Sequence, residues 1–212
     1  MKLYRHYKNK PYKYIGTAKH SETLQDMVIY ETHYENDLGR LWVRPKDMFF
    51  ESVNVGDVVT PRFYKVPLKI EATTEVNESA INLIAPLINE SFGKWDKDWF
   101  YSTFNEHEKF YLAMAYIDEQ IVGFKLGYER TAHEFYSWLG AVSPHFRGLG
   151  VAADLMRSQH EWCRKQGYKK VATKTQPHSR EMLLLNISND FQIVGTEPYG
   201  KDGLKIQLEK IL

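Results

Sequence analysis

The 212-residue chain holds a single cysteine, Cys163. An intramolecular disulfide is therefore excluded, and a zinc site built on cysteines nearly so. No apolar run comes near the roughly 18 residues that a membrane-spanning helix needs, so no membrane partner is expected. The first fourteen residues are basic and aromatic without an apolar stretch. No secretory signal is expected there, and the reducing cytoplasm is the expected location. Charge of one sign is scarce too. The formal net charge is +1, which argues against a broad basic field for nucleic acid. The eight histidines form no H-x-H or H-x-x-x-H pair, so no metal site is expected.

What the chain does have is the composition of a folded protein. Hydrophobic residues make up 43% and charged residues 26%, too apolar a balance for a disordered chain. Its two parts differ in pattern. Residues 1–65 carry 11 Lys+Arg against 8 Asp+Glu, and residues 66–212 carry 17 against 19. The first part has short aromatic runs, among them Tyr12–Ala18, Met27–His33, Leu41–Val43 and Met48–Val53, separated by turn signals. It reads as a small all-β barrel or sandwich over residues 1–62. Thr60–Pro67 contains two prolines and reads as connection, with 63–67 as the linker. From residue 68 the period changes. Helices are expected over Ala80–Phe92, Lys97–Asn105, Val151–Gln166 and Arg180–Asn186. Strands are expected over Phe110–Ile117, Ile121–Arg130, His133–Val142, Lys169–Thr175, Phe191–Thr196 and Leu204–Leu208. This order, over 68–212, is a mixed α/β layout of a β-sheet flanked by helices.

The stretch Val142-Ser-Pro-His-Phe-Arg-Gly-Leu-Gly-Val-Ala152 joins the end of a strand to the start of a helix. Glycines let the backbone turn sharply and a ligand approach closely. Amides at a helix start lack intrahelical partners and face the positive end of the helix dipole, which suits a pyrophosphate. Arg147 adds charge or anchors the loop. A Walker A loop is excluded because no lysine follows the glycines, and a Rossmann fingerprint because position 153 is alanine. A glycine turn without a ligand reads the same way from the loop alone.

Arg147-Gly-Leu-Gly-Val-Ala152 resembles the [QR]-x-x-G-x-[GA] acetyl-CoA signature of the GNAT superfamily of N-acetyltransferases. The V-x-P-x-x-R that begins at Val142, the Val171–Thr175 strand and the segment Met182–Phe191 extend the resemblance over residues 67–212. It implies a GNAT-type mixed sheet in which two strands splay after Val142. Acetyl-CoA, as cosubstrate, would lie in that wedge. Its pantetheine arm would pair with backbone near Ala141 and Val142. Its pyrophosphate would rest on the amides of Arg147, Gly148, Leu149, Gly150, Val151 and Ala152. A primary amine of a small molecule or a peptide would attack the thioester directly, a mechanism of positioning and oxyanion stabilisation. The resemblance departs at two positions. Asn186 stands where many members carry a tyrosine beside the leaving thiolate, and Asp190 replaces a glycine. Asn186 can orient the thiol or cap a helix end, but it cannot act as an acid. The departure keeps open a second reading, a non-catalytic protein that senses acyl-CoA.

On the strand that ends at Val142, strict alternation puts Glu134, Tyr136, Trp138, Gly140 and Val142 on one face, and the resemblance makes it the substrate face. Glu134 is the candidate base, with Glu129 in reserve. Trp95, Asp96 and Trp99 could hold a cation by π-face and charge, and serve equally as helix packing and first-turn acids. In the first part, Tyr4–Lys8, His20–Thr23, Leu41–Pro45 and Met48–Glu51 resemble a short bacterial family of uncharacterised β-rich proteins. Arg5, His6, His20, Glu22, Trp42 and Arg44 there outline a site for an anionic small molecule, or a packing platform. The sequence leaves a homodimer open.

Overall fold

Strand and helix periods sort the chain into two compact units, Met1–Pro67 and Leu68–Leu212. The computed structural model describes residues 2–93, 95–200 and 203–212. Lys94, which precedes Trp95, lies outside them.

The first unit contains β1 (Leu3–His6), β2 (Pro11–Lys19), β3 (Asp26–Thr32), β4 (Leu41–Pro45), the one-turn helix α1 (Lys46–Phe50), β5 (Ser52–Val55), β6 (Val58–Pro61) and β7 (Phe63–Lys65). Five strands form an antiparallel sheet in the order β4-β3-β2-β1-β7, and β5 and β6 form a separate hairpin. Alternation puts Val28, Tyr30 and Phe63 on one face, where Phe49 of α1 closes the core. Phe49 stacks on Phe63 at 4.1 Å. Two expectations fail here. Met48–Val53 is not one strand, because Phe49 and Phe50 belong to α1. The segment 63–67 is not a linker either. Tyr4, Arg5 and His6 pair with Lys65, Tyr64 and Phe63, and Phe63 and Val66 are buried. Proline bounds this strand rather than forbidding it, since an edge strand does not need every amide.

The second unit runs β8 (Lys69–Thr73), α2 (Glu78–Phe92), α3 (Lys97–Asn105), β9 (Phe110–Ile117), β10 (Gln120–Thr131), β11 (Glu134–Val142), α4 (Val151–Gln166), β12 (Lys170–Thr175), α5 (Arg180–Ser188), β13 (Gln192–Tyr199) and β14 (Gly203–Ile211). Its seven-stranded sheet has the order β13-β14-β12-β11-β10-β9-β8. Only β11 and β12 run parallel, and α4 makes the crossover that a parallel pair requires. Local chemistry sets the boundaries. The Asn77 side chain accepts from the Ala80 amide and caps α2. Asp118 and Glu119 both have positive φ, 47° and 64°, the twist that closes a two-residue hairpin between β9 and β10. Gly167, at φ 87°, ends α4.

Helices cover both faces of the sheet. Ile81, Ile84, Leu87 and Ile88 of α2 and Phe100 of α3 pack with Phe124, Leu126, Tyr128 and Tyr136. On the other face α4 lies so close that a Cβ on Gly123 would stand 3.2 Å from side-chain carbons of Val151 and Leu155. Gly127 is tighter still. A Cβ there would stand 2.5 Å from Phe135 Cε1 and from the Tyr136 carbonyl oxygen. Gly127→Ala should therefore destabilise the protein by about 1–3 kcal/mol through overpacking. Gly16→Ala, with nothing within 4 Å, should leave it nearly unchanged. Denaturant unfolding of the two variants checks this, and equal midpoints would refute it.

Candidate functional site

Pairing between β11 and β12 is short. Only Glu134, Phe135 and Tyr136 face Lys170, Val171 and Ala172. The Thr173 hydroxyl then donates to the Ser137 carbonyl at 2.8 Å, and the strands part. From Leu139 to Val142, β11 stays paired with β10 on one side only. Its other edge pairs with no strand there and faces a wedge. Such an edge binds an extended partner by backbone hydrogen bonds.

A bulge adjusts this strand. Leu126 faces Leu139 but Gly127 faces Ser137, so Trp138 is the extra residue. Strict alternation therefore breaks at Trp138. Tyr136, Trp138, Leu139 and Ala141 lie with the α2 and α3 side chains. Gly140 faces the α4 side, where Lys125 lies across it. The expectation that Gly140 and Val142 share the face of Tyr136 is corrected by this one residue.

The glycine loop stands at the mouth of the wedge. A 3-10 turn over Pro144–Phe146 precedes it. Arg147 Nε donates to the Val142 carbonyl at 3.0 Å, so the arginine ties the loop to the strand end. Leu149 is fully buried and anchors the loop. Gly148 and Gly150 have φ of 72° and 92°, a region that side chains resist. Gly150 is the N-cap of α4, and no side chain caps the helix. The first amides of α4 are thus left for a ligand, and their dipole favours an anion.

The wedge opens on its α2 side into an aromatic mouth. Trp99 is 49% exposed and stands 5.6 Å from Trp138. Tyr128 lies 5.6 Å from Trp138 and 5.3 Å from Tyr136. Burial pushes the Tyr136 phenol up to about 12, so it remains a donor at neutral pH. The His107 ring stacks on Tyr128 at 3.7 Å, and burial lowers its pKa below the usual histidine value. His107 carried no sequence signal, because it follows α3 in a polar turn and reaches the mouth only through the fold.

Of the expected substrate residues, Trp99 and Trp138 meet here. Trp95 packs instead against Phe100 and Tyr101, and Asp96 caps α3 by accepting from the Trp99 amide. Glu134 binds Arg130 and Lys170, each at 2.8 Å. Burial alone would raise its pKa, but the two cations outweigh this and lower it. A base with two cations on its oxygens has little affinity for another proton. Its contribution to stability holds above the usual carboxylate range and is lost as pH falls through its depressed value. Glu129 accepts from Lys109 at 2.8 Å and Tyr168 at 2.7 Å. It belongs with the α4-side aromatics, away from the mouth. Asn186 is buried inside α5, so it is not a helix-end cap. Asp190 has φ 68°, which explains why a glycine fits that position. Cys163 is sealed, and burial pushes its thiol up to about 12. Among the described residues, no group of three or more His, Cys, Asp or Glu is placed to hold a metal. No helix among them is long and apolar enough to cross a membrane.

In the first unit, His6 and Arg44 converge. Arg44 Cζ lies 6.0 Å over the Phe63 ring, and His6 lies 4.7 Å from the same ring. His20 is elsewhere, and its Nδ1 accepts from the amides of Glu22 and Thr23 in a turn. Trp42 donates to the Gly39 carbonyl.

A model of the acetyltransferase (GNAT) family matches residues 73–183. A model of a family of unknown function, DUF1653, matches residues 2–65. No curated protein matches the chain. Ard1 from Thermoplasma volcanium is 19% identical with a TM-score of 0.57, over 68% of this chain and 97% of that one. The ribosomal-protein-S18-alanine N-acetyltransferase from Escherichia coli is 13% identical with a TM-score of 0.58, over 68% and 94%. A GNAT family acetyltransferase from Elizabethkingia anophelis with acetyl-CoA bound is 19% identical with a TM-score of 0.54, over 68% and 98%. At these identities the likeness is one of fold.

Two substitutions test the site. Gly150→Val should abolish acetyl-CoA binding in calorimetric titration and cost about 1–2 kcal/mol of stability through its positive φ. Unchanged affinity in the folded variant would remove the loop from the site. Glu134→Gln should change turnover only a few-fold, well short of the roughly 10²–10⁴-fold that a lost general base costs. A loss of that size would return the base role to Glu134.

Proposed function

Because the chain belongs to the GNAT acetyltransferase family and is an acyltransferase with acetyl-CoA as cosubstrate, we propose that it acetylates a primary amine of a small molecule or peptide by direct transfer. The observation that carries this reading is the unpaired β11 edge beside uncapped α4 amides. The edge supports extended pairing with the pantetheine arm through Ala141 and Val142. The amides of Gly148, Leu149, Gly150, Val151 and Ala152 support the pyrophosphate. Direct attack is favoured because the sole cysteine is buried with its thiol held neutral, so no thiolate is at hand for an acyl-enzyme.

The mouth fits an amine. Trp99 and Trp138 offer π-faces to the ammonium form in solution. Arg130 already lies 4.1 Å over Tyr136, which leaves the tryptophan pair as the open aromatic surface. A base there must be unprotonated at neutral pH. His107 meets this condition because burial disfavours its charged form. On this reading His107 takes the proton, Tyr136 donates to the substrate, and backbone donors at the Trp138 bulge stabilise the oxyanion.

Thiol release from acetyl-CoA across a panel of amines tests the activity, and absence of turnover with every amine would refute it. His107→Gln should lower turnover by about 10²-fold with acetyl-CoA affinity kept. In the wild type, turnover should fall as pH drops through the His107 pKa, below the ordinary histidine value. The variant should lose that limb. A variant with the wild-type profile would remove His107 from the chemistry.

A further inference from the structure

The sheet face turned toward α4 carries buried polar groups that the reading above leaves unused. Lys125 on β10 is 8% exposed, and Ser137, Gln159 and His160 beside it are sealed. Ser137 Oγ, both polar atoms of the Gln159 amide and His160 Nε2 have no hydrogen-bond partner among the described residues. Burying such groups unpaired is costly. No carboxylate among the described residues offsets the Lys125 charge.

Geometry gives this lysine a direction. Lys125 faces Gly140 across the β10–β11 ladder. A Cβ on Gly140 would stand 3.8 Å from both Cγ and Nζ of Lys125. The lysine chain therefore folds over the glycine, with both atoms in ordinary contact distance of that position. Gly140 belongs to the stretch of β11 whose outer edge is unpaired. Lys125 thus brings a donor to the α4 side of the wedge, opposite the aromatic mouth. Asn186, at the position the family often gives to a tyrosine, cannot give a proton.

We propose that Lys125 is the catalytic acid that protonates the departing thiolate, an assignment that rests on the wedge being the acetyl-CoA site. The amine lone pair forms the bond to the acetyl carbon, and its proton goes to the base at the mouth. The carbon–sulfur bond breaks with its electron pair on sulfur. Lys125 gives that sulfur a proton and regains one from solvent.

The surroundings suit the task. Burial lowers the Lys125 pKa to about 8, close to the roughly 8.5 of an ordinary thiol, so the transfer is nearly balanced. The titratable groups around it keep a fixed charge near neutral pH. His160, at about 3, stays neutral. Cys163, at about 12, keeps its proton, and burial raises Tyr111 on β9. Lys210 on β14 is paired with Asp190. Lys125 alone in this group changes charge where an enzyme works.

Lys125→Met and Lys125→Arg, in the full chain, test the assignment. Calorimetry with acetyl-CoA should give affinities within about threefold of wild type for both. Turnover should fall about 10²-fold in both, because the arginine keeps the charge but does not give up a proton. A second readout needs no turnover. The ultraviolet absorbance of the thiolate, followed against pH in the complex with CoA, should show the bound thiol titrating about one unit or more higher in Lys125→Met than in wild type. Lys125→Gln repeats the measurement should the methionine variant fold poorly. Wild-type turnover and thiol titration in a folded variant overturn the assignment and leave the acetyl-CoA site standing. A wild-type protein that fails to bind acetyl-CoA overturns the site, and the assignment with it.

Discussion

Three paired residues hold β11 to β12, and the absence of a fourth organises the second unit. Had Leu139 to Val142 found a strand on their outer side, no wedge would exist and the glycine loop would face a closed sheet. Thr173 marks the limit. Its hydroxyl takes the Ser137 carbonyl, which ends the ladder with a side chain instead of a backbone amide. The Trp138 bulge lies one residue further on and turns the strand faces over. The tryptophan faces the mouth while Gly140 faces α4. One irregular residue thus keeps Trp138 and Leu139 with the α2 and α3 side chains while Gly140 turns to the side where Lys125 lies.

Most elements of the second unit were legible because their signals were local. Apolar residues at 81, 84, 87 and 88, the Asn77 cap and Gly167 after α4 fix helices through interactions within a few residues. The glycine loop was legible for the same reason, since two glycines and a helix start are adjacent in sequence. The residues proposed for the chemistry were not. The assignment of Glu134 followed from parity on one strand, and its two cations arrive from Arg130 and from Lys170 on another strand. His107 and Lys125 gain their properties from burial under distant elements. Their sequence neighbourhoods are an ordinary polar turn and an ordinary strand. Parity itself failed at Trp138, because a bulge depends on how two strands fit and no residue type announces it.

The first unit shows the same division. Its β-rich character follows from its aromatic runs. The short helix α1 does not read as one, because five residues are too few for a helical period. Phe49 is placed by the cavity it fills against Phe63 and Tyr30. His6 and Arg44 come together on that aromatic face, while His20 holds a turn. His6 and Arg44 thus part from His20 once the strands pair.

The unpaired edge of β11 has a thermodynamic side as well. Backbone groups left open inside a sheet are a defect of the empty protein, and a molecule that pairs with them repairs it. Such a molecule meets its partners only in the folded chain, since the unfolded chain has no wedge. Its binding therefore adds to folding stability by mass action, about 2.7 kcal/mol at a hundredfold excess over its Kd. At the proposed site the cosubstrate stands in for a missing strand. The lifetime of the folded protein becomes tied to the supply of the compound it consumes.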